Sequence, residues 1–204
     1  MKRLVLVLVL ALGAIMGAQA QKRWVFSPEV TLGVGFANGP KAYGTQAFTA
    51  GYKFGGLFLL GAGAGFRSAL PVSSRTTVIS GASRKEYILD LGVPVFLRIG
   101  LEGSKWFVHV DGGYAIGLCG ISMVAMLKKL GASPFITATY KGFFVDPHAG
   151  FILGGRHAIG LGVLFQQSTR QELVIHQSGD LISTSVSTVK DFPAAINLRY
   201  GVRF

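Results

Sequence analysis

Three observations predict an all-β fold, an eight-stranded antiparallel up-and-down transmembrane β-barrel. Eight segments alternate apolar and polar residues with a period of two, the mark of strands with one face of each kind. The connections between them alternate short and long, which puts tight turns on one rim and larger loops on the other. Between its terminal aromatics, one face of all eight segments is free of charge, and a charge at mid-bilayer would cost roughly 2–4 kcal/mol.

The chain opens with a basic "MKR", an apolar "LVLVLVLALGAIMGA" and a small-x-small "AQA" before Gln21. This reads as a secretory signal peptide over residues 1–20, leaving residues 21–204 as one barrel domain. No cysteine follows the cleavage site, so lipoprotein processing is not expected.

The first segment, 24–36, sets Phe26, Val30, Leu32, Val34 and Phe36 against Glu29 and Thr31. The second, 43–54, sets Phe48, Ala50, Tyr52 and Phe54 against Lys53. The third, 57–69, sets Phe58, Leu60, Ala62, Ala64 and Phe66 against Arg67. In the fourth, 84–99, seven apolar residues from Tyr87 to Ile99 oppose Asp90 and Arg98. The fifth, 105–118, opposes Trp106, Val108, Val110, Tyr114, Ile116 and Leu118 to His109 and Asp111. The sixth, 135–153, opposes Phe143, Val145, Ala149, Phe151 and Leu153 to Asp146 and His148. Pro147 within it forfeits a ladder hydrogen bond and predicts a local bulge. The seventh, 157–170, carries Ile159, Leu161, Val163 and Phe165 opposite Gln166. The eighth, 191–204, alternates from Phe192 through Ile196, Leu198, Tyr200 and Val202 to Phe204, with Asn197, Arg199 and Arg203 behind.

"FGGL", "GLEGSK" and "GGRH" are short glycine-containing hairpin turns. "PVSSRTTVISGAS", "CGISMVAMLKKLGAS" and "STRQELVIHQSGDLISTSVSTVK" are long and polar, and "ANGPKA" lies on their side. Aromatics mark both ends of the uncharged face. Phe26, Phe54, Phe58, Trp106, Phe151 and Phe204 lie at the short-turn rim. Phe36, Phe66, Tyr87, Phe143, Phe165 and Phe192 lie at the other, as the paired girdles of a membrane barrel would.

Bulk properties agree. Half the residues are hydrophobic and 29 are glycine, yet after the leader no apolar run is long enough for a membrane helix. Without Lys2 and Arg3 the chain has 18 Lys and Arg against 9 Asp and Glu, a net charge of +9. In an exported protein that balance points to anionic lipid rather than nucleic acid. Cys119 stands alone and forms no internal disulfide.

The leader, the eight alternating segments and the terminal "YGVRF" together resemble small eight-stranded outer-membrane barrels of the OmpA/OmpX type. The porin-like outer membrane protein beta-barrel family, with its PorT-like members, looks closest. The resemblance implies a bacterial outer-membrane location. It also implies a final strand (Tyr200, Val202, Phe204) read by the barrel-assembly machinery as an insertion signal. Outer-membrane lipid and lipopolysaccharide would surround the barrel.

Inside, Glu29, Asp90, Asp111 and Asp146 meet Lys53, Arg98, Arg199 and Arg203. Buried charges persist only when paired or hydrated, so a salt-bridged plug is expected. His109, Asp111, Asp146 and His148 share the inner face and could bind a divalent metal; membership of the salt-bridge network is the stronger reading. No cofactor is expected.

The uncharged rim lacks a Ser-His-acid arrangement, and His176, Ser178 and Asp180 sit in a hairpin tip, so no enzymatic activity is expected. The last loop alternates on both sides of "SGD" and predicts a ribbon beyond the membrane, open to partners by strand addition. Two further membrane strands there are the alternative. In "SMVAMLKKLG", Ser122 would cap a short helix. The function expected is structural, adhesive or accessory to secretion, in a monomer. A narrow passive channel is the alternative, and a lipid-modifying enzyme is less favoured.

Overall fold

The computed structural model describes residues 23–37, 42–79, 82–122, 135–136, 141–178, 181–192 and 194–204, with side chains except at 23, 37, 71–88, 122, 135–136 and 168–191. The expected leader and the expected helix after Ser122 lie outside the described residues.

Eleven strands form: β1 (Arg23–Ala37), β2 (Ala42–Phe54), β3 (Phe58–Ile79), β4 (Ala82–Glu102), β5 (Trp106–Ser122), β6 (Phe135–Ile136), β7 (Gly142–Leu153), β8 (His157–Gln166), β9 (Ser168–Ser178), β10 (Leu181–Asp191) and β11 (Ala194–Val202). Eight of them close a ring of antiparallel ladders in the order β1, β2, β3, β4, β5, β7, β8, β11 and back to β1. Closure leaves this ring no edge strand, so its backbone polar groups pair within the sheet.

The short turns follow from glycine. Gly55 and Gly56, and again Gly154 and Gly155, have positive φ in two-residue connections closed by Leu57 N–H to Phe54 O and Arg156 N–H to Leu153 O. Positive φ at both central residues is the type I′ requirement, whose twist matches that of the strands. The last residue also joins the ring. Phe204 and Phe26 exchange backbone hydrogen bonds at 2.9 and 3.3 Å, tying the chain end to β1.

Three expectations are corrected. The sixth segment does not run unbroken from 135 to 153. β6 is a two-residue strand on Gly120 and Ile121 of β5, and β7 starts at Gly142, whose φ of 145° favours glycine. Pro147 produces no register shift. The β5–β7 ladder runs straight through Val110↔Pro147, and the pairs to β8 step from Val145↔Phe165 to His148↔Gly162 in the same register. The pairs missing between them are the whole effect of the absent N–H. Finally, the third connection is not a plain loop. Ser73–Ile79 and Ala82–Ile88 continue as a hairpin past a bulge at Leu70–Val72 that contains Pro71.

β9 and β10 pair with each other from Ser178↔Leu181 to Asp191↔Ser168. β9 also runs parallel to Arg75–Ile79 of the β3 extension. Neither enters the ring, so the barrel has eight strands, and β9 and β10 form a ribbon above the long-loop rim.

The faces separate as alternation requires. Leu32, Val34, Leu97, Phe151, Leu161 and Leu198 are each more than half exposed on the outside, and among the described residues no charged side chain stands at an exposed position of the ring strands within the girdles. Inside are two apolar clusters. Tyr43, Ala69, Phe96, Ala115, Phe144, Leu164 and Ala195 pack toward the long-loop rim, and Phe107, Ile152 and Ala158 toward the short-turn rim. Gly33 and Gly63 make room for this: a Cβ on either would run into the ring of Tyr43 or Phe96.

Candidate functional site

Between the two apolar clusters lies a layer of ion pairs. Inward parity delivers its members from five strands: Glu29 (β1), Arg98 (β4), Asp111 (β5), Asp146 and His148 (β7) and Arg199 (β11). Arg98 is bidentate on both sides. Its Nε and Nη2 donate to Asp111 Oδ1 and Oδ2 at 2.7 and 2.8 Å, and its Nη1 and Nη2 donate to the two oxygens of Glu29. Such forked contacts are among the strongest and most directional available to a charged pair. Arg199 then joins the facing carboxylates of Asp111 and Asp146, at 2.7 and 2.6 Å, and reaches Glu29 at 3.2 Å. Asn197 donates to Asp146 Oδ1.

A second group lies nearer the short-turn rim. Glu102 accepts from Arg203 at 2.6 Å, lies 3.6 Å from Lys53 Nζ and stands 3.5 Å from His109 Nε2. On the other side of the main layer, Arg67 donates to Thr45 and Gln166 and lies over the rings of Tyr43 and Phe144. Arg98 and Arg203 lie similarly over Phe96 and Phe107. Asp90 is buried partway along β4, opposite Ala69 and Gly120.

The structure therefore brings together Glu29, Arg98, Asp111, Asp146 and Arg199, holds Lys53 and Arg203 in the neighbouring group, and places Asp90 farther along β4 toward the long-loop rim. Among the described residues the inward positions carry five acids and five bases, so they add nothing to the chain's formal charge of +11. Glu102 is the member that sequence reasoning missed, because "GLEGSK" reads as a turn. Its signal was parity: Arg98, Gly100 and Glu102 step along one face.

The four-residue His/Asp set divides. His109 and His148 are directly opposed, as are Asp111 and Asp146. His109 nevertheless turns toward Glu102, while Asp111, Asp146 and His148 converge with ligand atoms within 4.8 Å of one another. That convergence is already centred on a cation. Arg199 donates to both carboxylates and, from Nη1, to His148 Nε2 at 3.1 Å. His148 Nδ1–H donates to the Asp146 carbonyl, which fixes the neutral tautomer. The lone pairs a metal would need are those the guanidinium holds.

No protein-family model matches the chain, and no curated protein matches it. Solved structures do. The N-terminal β-barrel domain of Pseudomonas aeruginosa OprF is 9% identical over 90% of this chain and 100% of its own, with a TM-score of 0.47. Neisserial surface protein A is 10% identical over 88% and 95%, with a TM-score of 0.48. The outer membrane protein OprG from Pseudomonas aeruginosa is 12% identical over 93% and 99%, with a TM-score of 0.50. The chain has the fold of a small eight-stranded outer-membrane barrel. At such identities the likeness concerns the fold alone, so the interior of this barrel must be judged on its own geometry. What that geometry provides is an ionic layer capped by apolar side chains, with water-sized cavities flanking it among the described residues.

Proposed function

We propose that this protein is an integral outer-membrane barrel with a sealed interior, acting through the structures above its long-loop rim. The observation that carries this reading is the inversion of faces. The uncharged aliphatic and aromatic side chains are outside and the paired charges are inside, an arrangement suited to acyl chains around the ring. The cleaved leader, assembly through the Tyr200, Val202 and Phe204 strand and a monomeric state belong to the same reading, as do lipopolysaccharide and phospholipid as surroundings.

The role is structural, adhesive or accessory to secretion, the last by the resemblance to PorT-like barrels, and it is not enzymatic. The β9–β10 ribbon supports it, since β10 is a strand that pairs on one side only among the described residues. Such an edge can recruit a partner strand. A narrow channel is the second reading, favoured by the two cavities that flank the ionic layer. Planar-bilayer recording on the refolded protein tests both: silence is expected, and stable single-channel steps would replace the sealed reading. Capture of a specific partner from intact outer membranes, lost when the ribbon is deleted, is the expected sign of the adhesive role.

A further inference from the structure

Lys105 and Arg156 occupy the two tips that flank β7 on the short-turn rim, and both are exposed. Their turns are joined, since Ile152 N–H donates to Lys105 O at 2.9 Å. Neither base has an acidic partner among the described residues, and no acid is exposed in the three short turns; Glu102 faces inward in its own ion pairs. Directly above them, on the outer face, Trp106 and Phe151 are paired across β5 and β7, both exposed. Beside these, His157 stands in the girdle with Nδ1 2.8 Å from the Tyr200 hydroxyl and the two rings stacked at 17°. A histidine on a lipid-facing strand is out of place unless its polar end is used. With the Tyr200 hydroxyl as donor to Nδ1, the tautomer that the site uses carries its ring proton on Nε2, a donor for an anion.

We infer that this rim holds a site for an anionic phospholipid: its phosphodiester lies between Lys105, Arg156 and His157 Nε2, and its chains lie along Trp106 and Phe151. Charge selects the occupant. Two bases with no exposed acidic side chain in their turns attract anionic head groups and gain little from zwitterionic ones, and the aromatic shelf sets the height at which head groups meet acyl chains. Tyr200 is a positioning residue that fixes the imidazole. The inference rests on the outer-membrane reading.

The test uses the full chain carrying Trp24→Phe, so that Trp106 is the only tryptophan, refolded in zwitterionic bilayers containing a minor fraction of phosphatidylglycerol. Bromine is placed on the acyl chains of either the anionic or the zwitterionic lipid. At equal mole fraction, brominated phosphatidylglycerol is expected to quench Trp106 about threefold more strongly. The Lys105→Gln/Arg156→Gln variant, whose substitutions lie in exposed turns outside the ladders, is expected to lose that preference while folding normally. Equal quenching by the two lipids overturns the site, and so does a preference that survives the double substitution. Quenching by neither lipid means that the protein is not in the bilayer, which overturns the outer-membrane reading and the site with it.

Discussion

Arg98 shows how much one side chain carries here. It is 3% exposed and binds two carboxylates with four charge-assisted hydrogen bonds. Truncating it would strand Glu29 and Asp111 in a water-poor interior, with only Arg199 still near both. Removing one partner of a buried pair costs about 3–5 kcal/mol. Arg98→Ala is therefore expected to lower the unfolding free energy in lipid vesicles by that amount, read from urea titrations of tryptophan fluorescence. The conservative Arg98→Lys should recover only part of it, because an ammonium cannot fork. Metal binding is decided at the same scale. Arg199 already engages Asp111, Asp146 and His148, so crystals soaked in Zn²⁺ should show no anomalous peak among those residues. A peak there would mean that the guanidinium can be displaced.

At the scale of elements, the ring and the ribbon are separable. β8 meets β11 through an unbroken ladder from Ala194↔Phe165 to Val202↔His157, and β9 and β10 contribute nothing to it. Replacing residues 169–190 with a short Asn-Gly turn should leave a barrel that folds and keeps its heat-modifiable migration on electrophoresis. Any partner captured by the ribbon should be lost. The same division explains what could be read from the chain alone. Ring strands were legible because lipid and interior impose opposite chemistry on alternate residues, so even Pro147 could not hide β7. The β3–β4 extension and the ribbon lie above the rim; alternation on both sides of "SGD" announced the ribbon, whereas for the extension only β-branched residues such as Thr76, Thr77 and Val78 hinted at strands. The candidate site was legible as a set of inward charges but not as pairs. Which acid meets which base depends on side-chain reach across the ring. That is why His109 joins Glu102 rather than its sequence companions, and why the apolar caps from Phe96, Phe107 and Phe144 went unnoticed among the polar residues they flank.

For the whole molecule, the orientation of the two faces can be tested by sign rather than by size. Leu161 sits midway along β8, 63% exposed, opposite Leu198 on β11 and Ala149 on β7. If water surrounds the ring, Leu161→Arg places a charge on a wet surface, and such substitutions usually change stability by less than about 0.5 kcal/mol. If acyl chains surround it, the same change places a guanidinium near the bilayer midplane, at a cost of about 2–4 kcal/mol. Moved along the same face to Ile159, nearer the head groups, the cost should shrink, because it falls toward 0–1 kcal/mol at the interfaces, roughly. Inward, Leu164 is 1% exposed within the apolar cap, and Leu164→Ala should destabilise by about 2–5 kcal/mol in either medium, since a cavity depends only on packing. Measured together by reversible urea unfolding from vesicles, a large penalty at 161, a smaller one at 159 and a medium-independent one at 164 can arise only from a barrel wetted by lipid outside and packed within. A neutral Leu161→Arg beside a costly Leu164→Ala would instead describe a soluble barrel, and the membrane reading would fall with it.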